Sequence, residues 1–450
     1  MDVLVLGRDG RTHALLWKLF NDPAVQRIYC TPGNGGTQQI VPALLDLPLD
    51  HAERLSHWAM LSGIDLIVPA EPALLYANLA SEAREVGVRV AGAPAATARL
   101  AYSTCDAKEF LLRHKLPTAA GRAFRKLELA ERYLAAQPLP LQLRADHPDV
   151  APHIYTDRYE ALRGLRELFA ADPLDATHRG VVIEAYHNGT VVAFSAITDG
   201  ETALPLLPAR IYDQRDDTPQ AAYAPAMGAH TGTSAYYRKL GTYLHQHLLR
   251  PTLAALQREQ RPVWGILGLD CLITKQGPLI IGLRCTLRDM EAQVVLPRLN
   301  SSLLELLWAA TRHELARQPA LTWRDEATVG LALVSDGYPH HAAIGSPITG
   351  FDRLDEDVLV FHDQTLTPHG LRQRTDESAN PDVVAAMLAP LIQRGERANA
   401  DLTTSGGHVL TVVASGVTLP GARGRALLNA ERISFSGRSF RPDVGARELT

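Results

Sequence analysis

The sequence predicts a multidomain protein of the α/β and α+β classes, with a doubly wound parallel α/β domain at its N-terminus. Two observations carry this prediction. Over residues 1–101, short apolar runs alternate with amphipathic stretches, a pattern typical of parallel sheets with helices on both faces. From residue 102 onward, strand candidates follow one another with few helices between them, which is typical of mixed α+β folds.

The N-terminal region, residues 1–101, begins with an apolar strand and alternates from there. The predicted order is strand 3–6, helix 12–20, strand 27–30, helix 55–61, strand 66–68, helix 74–85 and strand 88–91. Ligands of such sheets bind beyond the carboxyl ends of the strands. The loops GRDGRTHA and CTPGNGGT, which follow the first two strands, are therefore expected to line a binding site.

The central region, residues 102–325, is predicted to hold two helices and several strands. In order these are helix 105–114, strands 139–144, 181–186 and 191–198, a long amphipathic helix at 234–257, and strands 267–274 and 278–283.

The C-terminal region, residues 326–450, is predicted to be a third, mixed domain. Its strand candidates lie at 327–335, 358–362 and 408–414. A polar segment at about 365–403 includes a helical stretch at 381–393, and we expect this segment to be an insertion or loop.

Bulk composition excludes several function classes. The chain has 450 residues, 46% of them hydrophobic, and a formal charge of −4, which argues against nucleic-acid or membrane-surface partners. The segment MDVLVLG at its start is typical of a strand, not of a signal peptide, so a cytoplasmic protein is expected. Its four cysteines lie far apart without a CxxC pair, which indicates neither a disulfide framework nor a zinc site.

The two N-terminal loops have the composition of an anion site. Their backbone N–H groups can face an anion where a helix begins, and an arginine and a histidine can add charge-assisted contacts. The candidate residues are Gly7, Gly10, Arg11, His13, Pro32, Gly33, Asn34, Gly35, Gly36 and Thr37. The alternative is that these glycines only form tight turns between strand and helix.

The chain resembles the glycinamide ribonucleotide synthetase family along nearly its whole length. The segment IIGLRCTLRDMEAQ, residues 280–293, is similar to the family's IEFNCRFGDPETQ. The segments VLVLGRDGRTHALLWKL, TPGNGGT, VVIEAYHNGTVVAF, AYAPAMGAH, DGYP, VFHD, TSGGHVLTV and FRPDVGAR follow the family's order. The resemblance implies ATP-grasp lobes in the central region, with a small lobe at about 121–186. It also implies N-terminal loops that hold a phosphoribosyl group, and the ATP-dependent ligation of phosphoribosylamine to glycine in purine synthesis.

The residues that hold the nucleotide and its metal in the family are changed in this chain. Gly282 and Arg284 stand where a Glu and an Asn hold magnesium, and neither can coordinate a hard cation through its side chain. Thr104 replaces a phosphate-contacting lysine. The loop at 147–152, which contains two prolines, replaces a flexible glycine run. Arg144 keeps one charge of this region.

We therefore expect a family member that has lost ATP- and magnesium-dependent ligation and acts by binding. Its partner would be a phosphoribosyl-type small molecule, an active synthetase or another biosynthetic enzyme, with no cofactor and no metal. Remnants of the catalytic site would be Arg144, Arg284, Asp289 and Glu291, and residues near a nucleotide would be Arg144, Glu184 and Tyr186.

The alternative is an active ligase with atypical nucleotide contacts, which would still need ATP and Mg²⁺. In that case Arg284 could itself neutralise a bound phosphate. Otherwise we expect Arg284 or Arg288 to fill the former metal cavity through an ion pair with Asp289, Glu291 or Glu184.

Overall fold

A computed structural model describes residues 1–41, 51–148, 150–170, 180–218, 221–367 and 402–447. The predicted helical stretch at 381–393, and most of the segment around it, lie outside the described residues. Within the described parts, the strands form sheets of four, nine, two and four strands. No helix among the described residues combines the length and apolar character needed to cross a bilayer.

The N-terminal domain is built on a parallel sheet with the strand order β2-β1-β3-β4. All residues of β1 and β3 are buried, as expected for central strands that are covered on both faces. The elements are β1 (Asp2–Gly7), α1 (Gly10–Phe20), β2 (Arg27–Pro32), α2 (Thr37–Ile40), α3 (Ala52–Leu61), β3 (Leu66–Pro69), α4 (Pro72–Tyr76), α5 (Leu79–Glu85), β4 (Arg89–Val90) and α6 (Ala95–Tyr102).

The helix predicted at 74–85 is in fact two helices, α4 and α5. Asn78 lies between them with a φ of 71°, a left-handed conformation that asparagine tolerates better than most residues. Pro72 begins α4, where its missing N–H leaves no helical hydrogen bond unmade.

A small lobe follows, with an antiparallel sheet in the order β5-β8-β6-β7. Its own apolar core includes Leu134, Leu143 and Ile183, all fully buried. The elements from here are α7 (Thr104–Arg113), β5 (Gly121–Phe124), α8 (Leu127–Ala136), β6 (Leu141–Ala145), β7 (His153–Tyr155), α9 (Arg158–Ala170) and β8 (Val181–Ala185).

The large sheet runs in the order β14-β13-β9-β11-β12-β15-β19-β16, and β10 pairs with β9. Its elements, with those that pack against it, are β9 (Thr190–Thr198), β10 (Ala203–Pro205), β11 (Ala209–Gln214), β12 (Tyr223–Thr231), α10 (Ala235–Leu244), α11 (Arg250–Arg258), β13 (Gly265–Thr274), β14 (Gly277–Arg284), α12 (Glu291–Val295), α13 (Leu303–Thr311), β15 (Ala327–Val334), β16 (Leu359–His362), β17 (Thr365–Leu366), β18 (Thr403–Thr404), β19 (His408–Gly416) and α14 (Leu419–Arg432).

Strands of the C-terminal region complete this sheet. The strand β15 pairs with β12 in antiparallel register, with Thr231 opposite Thr328, and every residue of β15 is buried. The C-terminal strands therefore continue the sheet of the central region.

The long helix predicted at 234–257 is interrupted by a π-helical turn, His245–Leu249, between α10 and α11. Pro251 follows this turn and cannot donate a backbone hydrogen bond to the preceding turn, which explains why the regular helix does not continue.

The N-terminal domain packs directly on the large sheet. Helix α1 contacts α12 and β16, and a shared core joins Val5 and Leu16 to Val294, Leu296 and Val413. This packing brings the loops after β1 and β2 against the end of β16 and the residues that follow it, through contacts with His362, Asp363 and Thr365.

Candidate functional site

A cleft of about 420 Å³ lies between the N-terminal loops, the small lobe and the large sheet. This volume is in the range of small-molecule sites. Charged and ionisable side chains of both signs line it: Asp9, Arg11, Lys108, Arg144, Glu184, Asp213, Asp270, Arg284, Arg288, Asp289, Asp363 and His408.

The position of the family's metal ligands is occupied by an arginine and its partners. Arg284 ends β14, and its Nη1 donates to Glu291 Oε2 at 2.8 Å while its Nε donates to Asp270 Oδ1 at 3.1 Å. Glu291 is fully buried, and it also accepts a hydrogen bond from the backbone N–H of Arg288. Of the ion pairs expected here, the one between Arg284 and Glu291 therefore forms.

Asp270 reaches this position from the neighbouring strand. It lies opposite Gly282 in the β13–β14 pair, and its Oδ2 is 3.0 Å from where a Cβ on Gly282 would be. Arg288 Nη1 donates to Asp270 at 2.9 Å, and its Nη2 donates to Asp213. Burial opposes ionisation of Asp270, but Arg288 and Arg284 outweigh it, so the pKa of Asp270 lies below its usual value of 3.8.

Cations from the small-lobe side are also paired. Lys108 Nζ donates to Glu184 Oε2 at 2.8 Å, with 4% and 5% of the two side chains exposed. Burial lowers the pKa of Lys108, and Glu184 only partly offsets it. Arg144 donates to the carbonyl of Ile281 and lies 3.7 Å from the other oxygen of Glu184. The two cations nearest to the small lobe therefore share one carboxylate.

Glu184 and Tyr186, which were expected to lie near a nucleotide, have internal partners in this structure. β8 is flanked by β5 and β6 on its two sides, so the backbone at Glu184 lies inside a sheet. The N–H of Tyr186 donates to the carbonyl of Pro140 at 3.2 Å. The structure does not place Tyr186 among the residues that line the cleft.

The N-terminus of α7 is capped by the protein itself. Ser103 Oγ accepts from the N–H of Asp106 and donates to Asp146 Oδ1 at 2.6 Å. Asp146 also accepts from the N–H of Cys105 at 2.9 Å and is buried. The carboxylate of Asp146 thus occupies the N-terminal end of α7, where Thr104 replaces the phosphate-contacting lysine of the family.

In the first N-terminal loop, carboxylates accept most of the backbone donors. Asp9 caps α1 by accepting from the N–H of Thr12, and it pairs with Arg11 through an Nε contact of 2.7 Å. The N–H of Arg8 donates to Glu71 at 2.9 Å, and that of Gly10 donates to Asp363 at the same distance.

In the second loop, the side chain of Asn34 accepts backbone hydrogen bonds. Its Oδ1 accepts from the N–H groups of Gly36 at 2.9 Å and Thr37 at 3.0 Å, while its own N–H donates to Thr37 Oγ1. The N–H of Gly33 donates to the carbonyl of Gly7, and that of Gly35 to Thr365. Anion binding by these loops stays a prediction, because an anion would have to compete with these contacts.

His13 contacts both the C-terminal region and Gly36 of the second loop, and a Cβ on Gly36 would lie 2.4 Å from its ring. Its Nδ1 accepts from the N–H of His362 at 2.8 Å. Burial, reinforced by His362, lowers the pKa of His13 well below 6.5, so the ring is neutral and carries its proton on Nε2.

A buried cluster joins three parts of the chain at the end of the cleft. His408 Nδ1 lies 3.2 Å from Asp289 Oδ2 and 3.7 Å from Asp363 Oδ2. Burial alone would lower the pKa of His408, yet the two carboxylates raise it to about 9. Burial raises the pKa of Asp363 to about 8, whereas His408 overcomes burial at Asp289 and holds its pKa below the usual value.

Several residues of the site were missed by sequence reasoning. Lys108 lies one helical turn after Thr104, a spacing that puts both on one helix face and could have revealed it. Asp363 and His408 are inside motifs that supported the family resemblance, VFHD and TSGGHVLTV. Asp213 and Asp270 belong to strands whose pairing partners are distant or irregular, and no motif marks them.

Comparisons with known proteins agree with this architecture. Models of the phosphoribosylglycinamide synthetase family match all three parts of the chain: the N domain at residues 1–101, the ATP-grasp (A) domain at 103–292 and the C domain at 328–447.

Relatives of similar length cover the chain from end to end. A phosphoribosylamine–glycine ligase of Brucella melitensis is 30% identical over 453 residues, covering 100% of this chain and 98% of the relative. One from Halalkalibacterium halodurans is 27% identical, covering 100% and 97%.

A solved structure supports the fold over the same extent. The phosphoribosylamine–glycine ligase of Thermotoga maritima has a TM-score of 0.78 at 22% identity and covers 99% of this chain and 100% of that one. Since three family models together match most of the chain, it belongs to the phosphoribosylglycinamide synthetase family of ATP-grasp proteins.

Proposed function

We propose that this protein keeps the ligand-binding cleft of its family but has lost magnesium-dependent ligation with ATP. The observation that carries the proposal is the ion-pair network of Arg284, Arg288, Asp213, Asp270 and Glu291 at the former metal position. A magnesium ion placed there would meet two guanidinium groups, and its oxygen ligands would have to leave their present partners.

The charge balance of the cleft supports the same proposal. Among the described residues, each arginine and lysine that lines the cleft pairs with a carboxylate. A triphosphate needs cations that are free to face it, and phosphoryl transfer depends on charge neutralisation and positioning. Loss of one preorganised donor already costs about a hundred- to a thousandfold in rate, so the combined losses should abolish turnover.

In this proposal the cleft serves binding, either alone or in association with an active synthetase or another biosynthetic enzyme. Its volume suits a small molecule. The loops that follow β1 and β2 retain most of the family's motif, which makes a phosphoribosyl-type compound the first ligand to test.

A second function has support from the comparisons. The full-length relatives are named phosphoribosylamine–glycine ligases, and this likeness favours an active ligase with atypical nucleotide contacts. The side-chain geometry of the cleft favours loss of activity.

Turnover distinguishes the two functions. We would measure ADP release by the full-length chain with ATP, Mg²⁺, glycine and phosphoribosylamine, and run the Brucella melitensis ligase in parallel as the positive control. The proposal expects no ADP release above that of a reaction without protein. ADP release that requires both glycine and phosphoribosylamine would establish the ligase instead.

A further inference from the structure

We propose that Asp289, Asp363 and His408 form a binding site for one divalent transition-metal ion, at a position separate from that of the family's magnesium ligands. The atoms that would hold the ion are Asp289 Oδ2, Asp363 Oδ2 and His408 Nδ1. One ligand atom from each of the three residues lies within 4.8 Å of those of the other two. This inference does not depend on the loss of ligase activity.

The spacing of these atoms fits a metal centre. His408 Nδ1 is 3.2 Å from Asp289 Oδ2 and 3.7 Å from Asp363 Oδ2. Two ligands bound at about 2.0–2.1 Å in tetrahedral geometry lie about 3.3 Å apart. Both distances from His408 are close to this value, and the two carboxylate oxygens lie within 4.8 Å of each other, so one ion could contact all three residues once the carboxylates move together.

The imidazole is oriented so that its metal-binding nitrogen faces the two acids. Thr411 donates its hydroxyl hydrogen to the sulfur of Met290, so its oxygen is free to accept from His408 Nε2–H at 3.2 Å. With the proton on Nε2, the lone pair of Nδ1 points toward two carboxylates. This arrangement requires a cation between them, either an additional proton or a metal ion.

The carboxylates are likewise held in place by donors. Asp289 Oδ1 accepts from the N–H of Met290 at 2.9 Å and from Gln293 Nε2 at 2.6 Å, which leaves Oδ2 toward His408. Asp363 is fixed by the N–H of Gly10, at 2.9 Å. Such outer contacts orient metal ligands in proteins.

An independent observation is the unpartnered amide oxygen of Gln293. The side chain is fully buried, its Nε2 contacts Asp289, and its Oε1 has no hydrogen-bond partner within the part of the chain that the structure describes. A buried carbonyl without a partner is costly. A metal-bound water molecule beside Asp289 would supply the missing donor, because the amide group already lies against this cluster.

The cluster can be reached from the cleft, and its ligand types favour some metals over others. All three residues line the cleft, so an ion there would keep coordination positions open to an anionic ligand. A set of one imidazole and two carboxylates favours Zn²⁺ or Mn²⁺ over Mg²⁺, which prefers oxygen ligands alone.

The test is titration of the chelator-treated, full-length protein with Zn²⁺ and Mn²⁺ by calorimetry, with Mn²⁺ also followed by electron paramagnetic resonance. We expect one ion per chain, with a dissociation constant in the micromolar range or below. Asp363→Asn and His408→Gln should each weaken binding at least a hundredfold.

Two further variants distinguish loss of the ion site from loss of folding. Thr411→Val keeps all three ligand residues, removes the contact that orients His408 together with the contact to Met290, and should weaken binding about 10- to 100-fold, even where a ligand variant fails to fold. Glu259→Gln alters a comparable acid–histidine contact, the 2.7 Å pair with His114 at the C-terminal end of α7, and should leave binding unchanged.

Two outcomes would overturn the proposal. One is the absence of stoichiometric binding of either ion, which would mean that the cluster holds a proton only. The other is binding that survives both Asp363→Asn and Thr411→Val, which would locate the ion elsewhere. No nucleotide is present in this titration, so its result is independent of the proposed loss of ligation.

Discussion

In the two N-terminal loops and in the β13–β14 strand pair, the groups that could face a phosphate have partners within the protein, but these partners differ between the two regions. The loops keep their family motif almost whole, yet Asp9, Asn34, Glu71 and Asp363 accept their backbone hydrogen bonds. The strand pair has lost its motif, and ion pairs centred on Arg284 occupy the space. A retained motif therefore shows that a backbone shape is kept, and not that its donors are free.

The two regions should also differ in what the removal of one charged side chain does to its neighbours. In the first loop Arg11 pairs with one carboxylate among the described residues, that of Asp9, and both side chains are partly exposed. In the strand pair, several buried charges depend on one another, so removal of one leaves the others without partners.

Removal of Arg284 should destabilise the fold strongly. Arg284→Ala leaves the fully buried Glu291 without its ion-pair partner, whereas Asp270 keeps Arg288, and loss of the buried pair costs about 3–5 kcal/mol in the free energy of unfolding. Urea denaturation measures this. Arg317→Ala, at an 81% exposed arginine 3.8 Å from Glu314, is the control and should change stability by less than about 0.5 kcal/mol. Equal changes in the free energy of unfolding of the two variants would mean that the ion pairs of Arg284 stabilise the fold no more than an exposed pair does.

Restoring the family's metal ligands should make stability depend on magnesium. In Gly282→Glu combined with Arg284→Asn, the new carboxylate lies beside Asp270, and of the two guanidinium groups only that of Arg288 remains. Mg²⁺ at a hundred times its dissociation constant would then stabilise the double variant by about 2.7 kcal/mol, measured by urea denaturation. Gly282→Gln with Arg284→Asn lacks the new carboxylate and should respond much less. A similar response in both would show that the cleft has a different geometry.

Mild acid should weaken the N-terminal junction before it weakens the strand pair. The folded pKa of His13 lies well below 6.5, so its stabilising contribution is complete above pH 6.5 and is lost as the pH falls, because the unfolded chain then binds the extra proton. At pH 5.5 this loss is about 1.4 kcal/mol. The Asp270 ion pairs persist, since that folded pKa lies below 3.8 and their contribution is lost only in stronger acid.

The measurement is urea denaturation between pH 7.5 and 5.5 on the wild type and on His13→Asn, whose side-chain oxygen can still accept from His362. The difference in stability between the two proteins should shrink by about 1.4 kcal/mol over this range. A difference that stays constant with pH would rule out His13 as the titrating group.

The smallest effect concerns Asp9. Asp9→Ala removes the cap of α1 and should cost about 1 kcal/mol, whereas Asp9→Asn keeps a capping oxygen and should cost less. Because Asp9→Asn releases Arg11, its affinity for ribose 5-phosphate should rise by about 0.3–1 kcal/mol, roughly two- to fivefold. Calorimetry compares the variants. An unchanged affinity in Asp9→Asn would mean that Asp9 is not what keeps phosphate out.

The fold of the N-terminal domain could be predicted because its buried strands are continuous apolar runs separated by amphipathic helices. The joining of the C-terminal strands to the central sheet could not. The β12–β15 pairing connects residues about a hundred positions apart, and no periodicity in the sequence reports such a contact.

The site shows the same limit. Arg284 and Glu291 lie on one segment, and their ion pair was expected from the sequence. The position of Asp270 could not be predicted. A register shift between Asp270 and Cys271 sets Asp270 opposite Gly282, and no residue pattern in the sequence indicates this irregularity.

The central claim is that paired charges in the cleft leave no place for a magnesium–nucleotide complex. Calorimetry of the full-length protein with ATP, in the presence and absence of Mg²⁺, tests it most directly. We predict no magnesium-dependent heat of binding at micromolar nucleotide. Micromolar binding that requires Mg²⁺ would contradict the account and restore the ligase as the function of this chain.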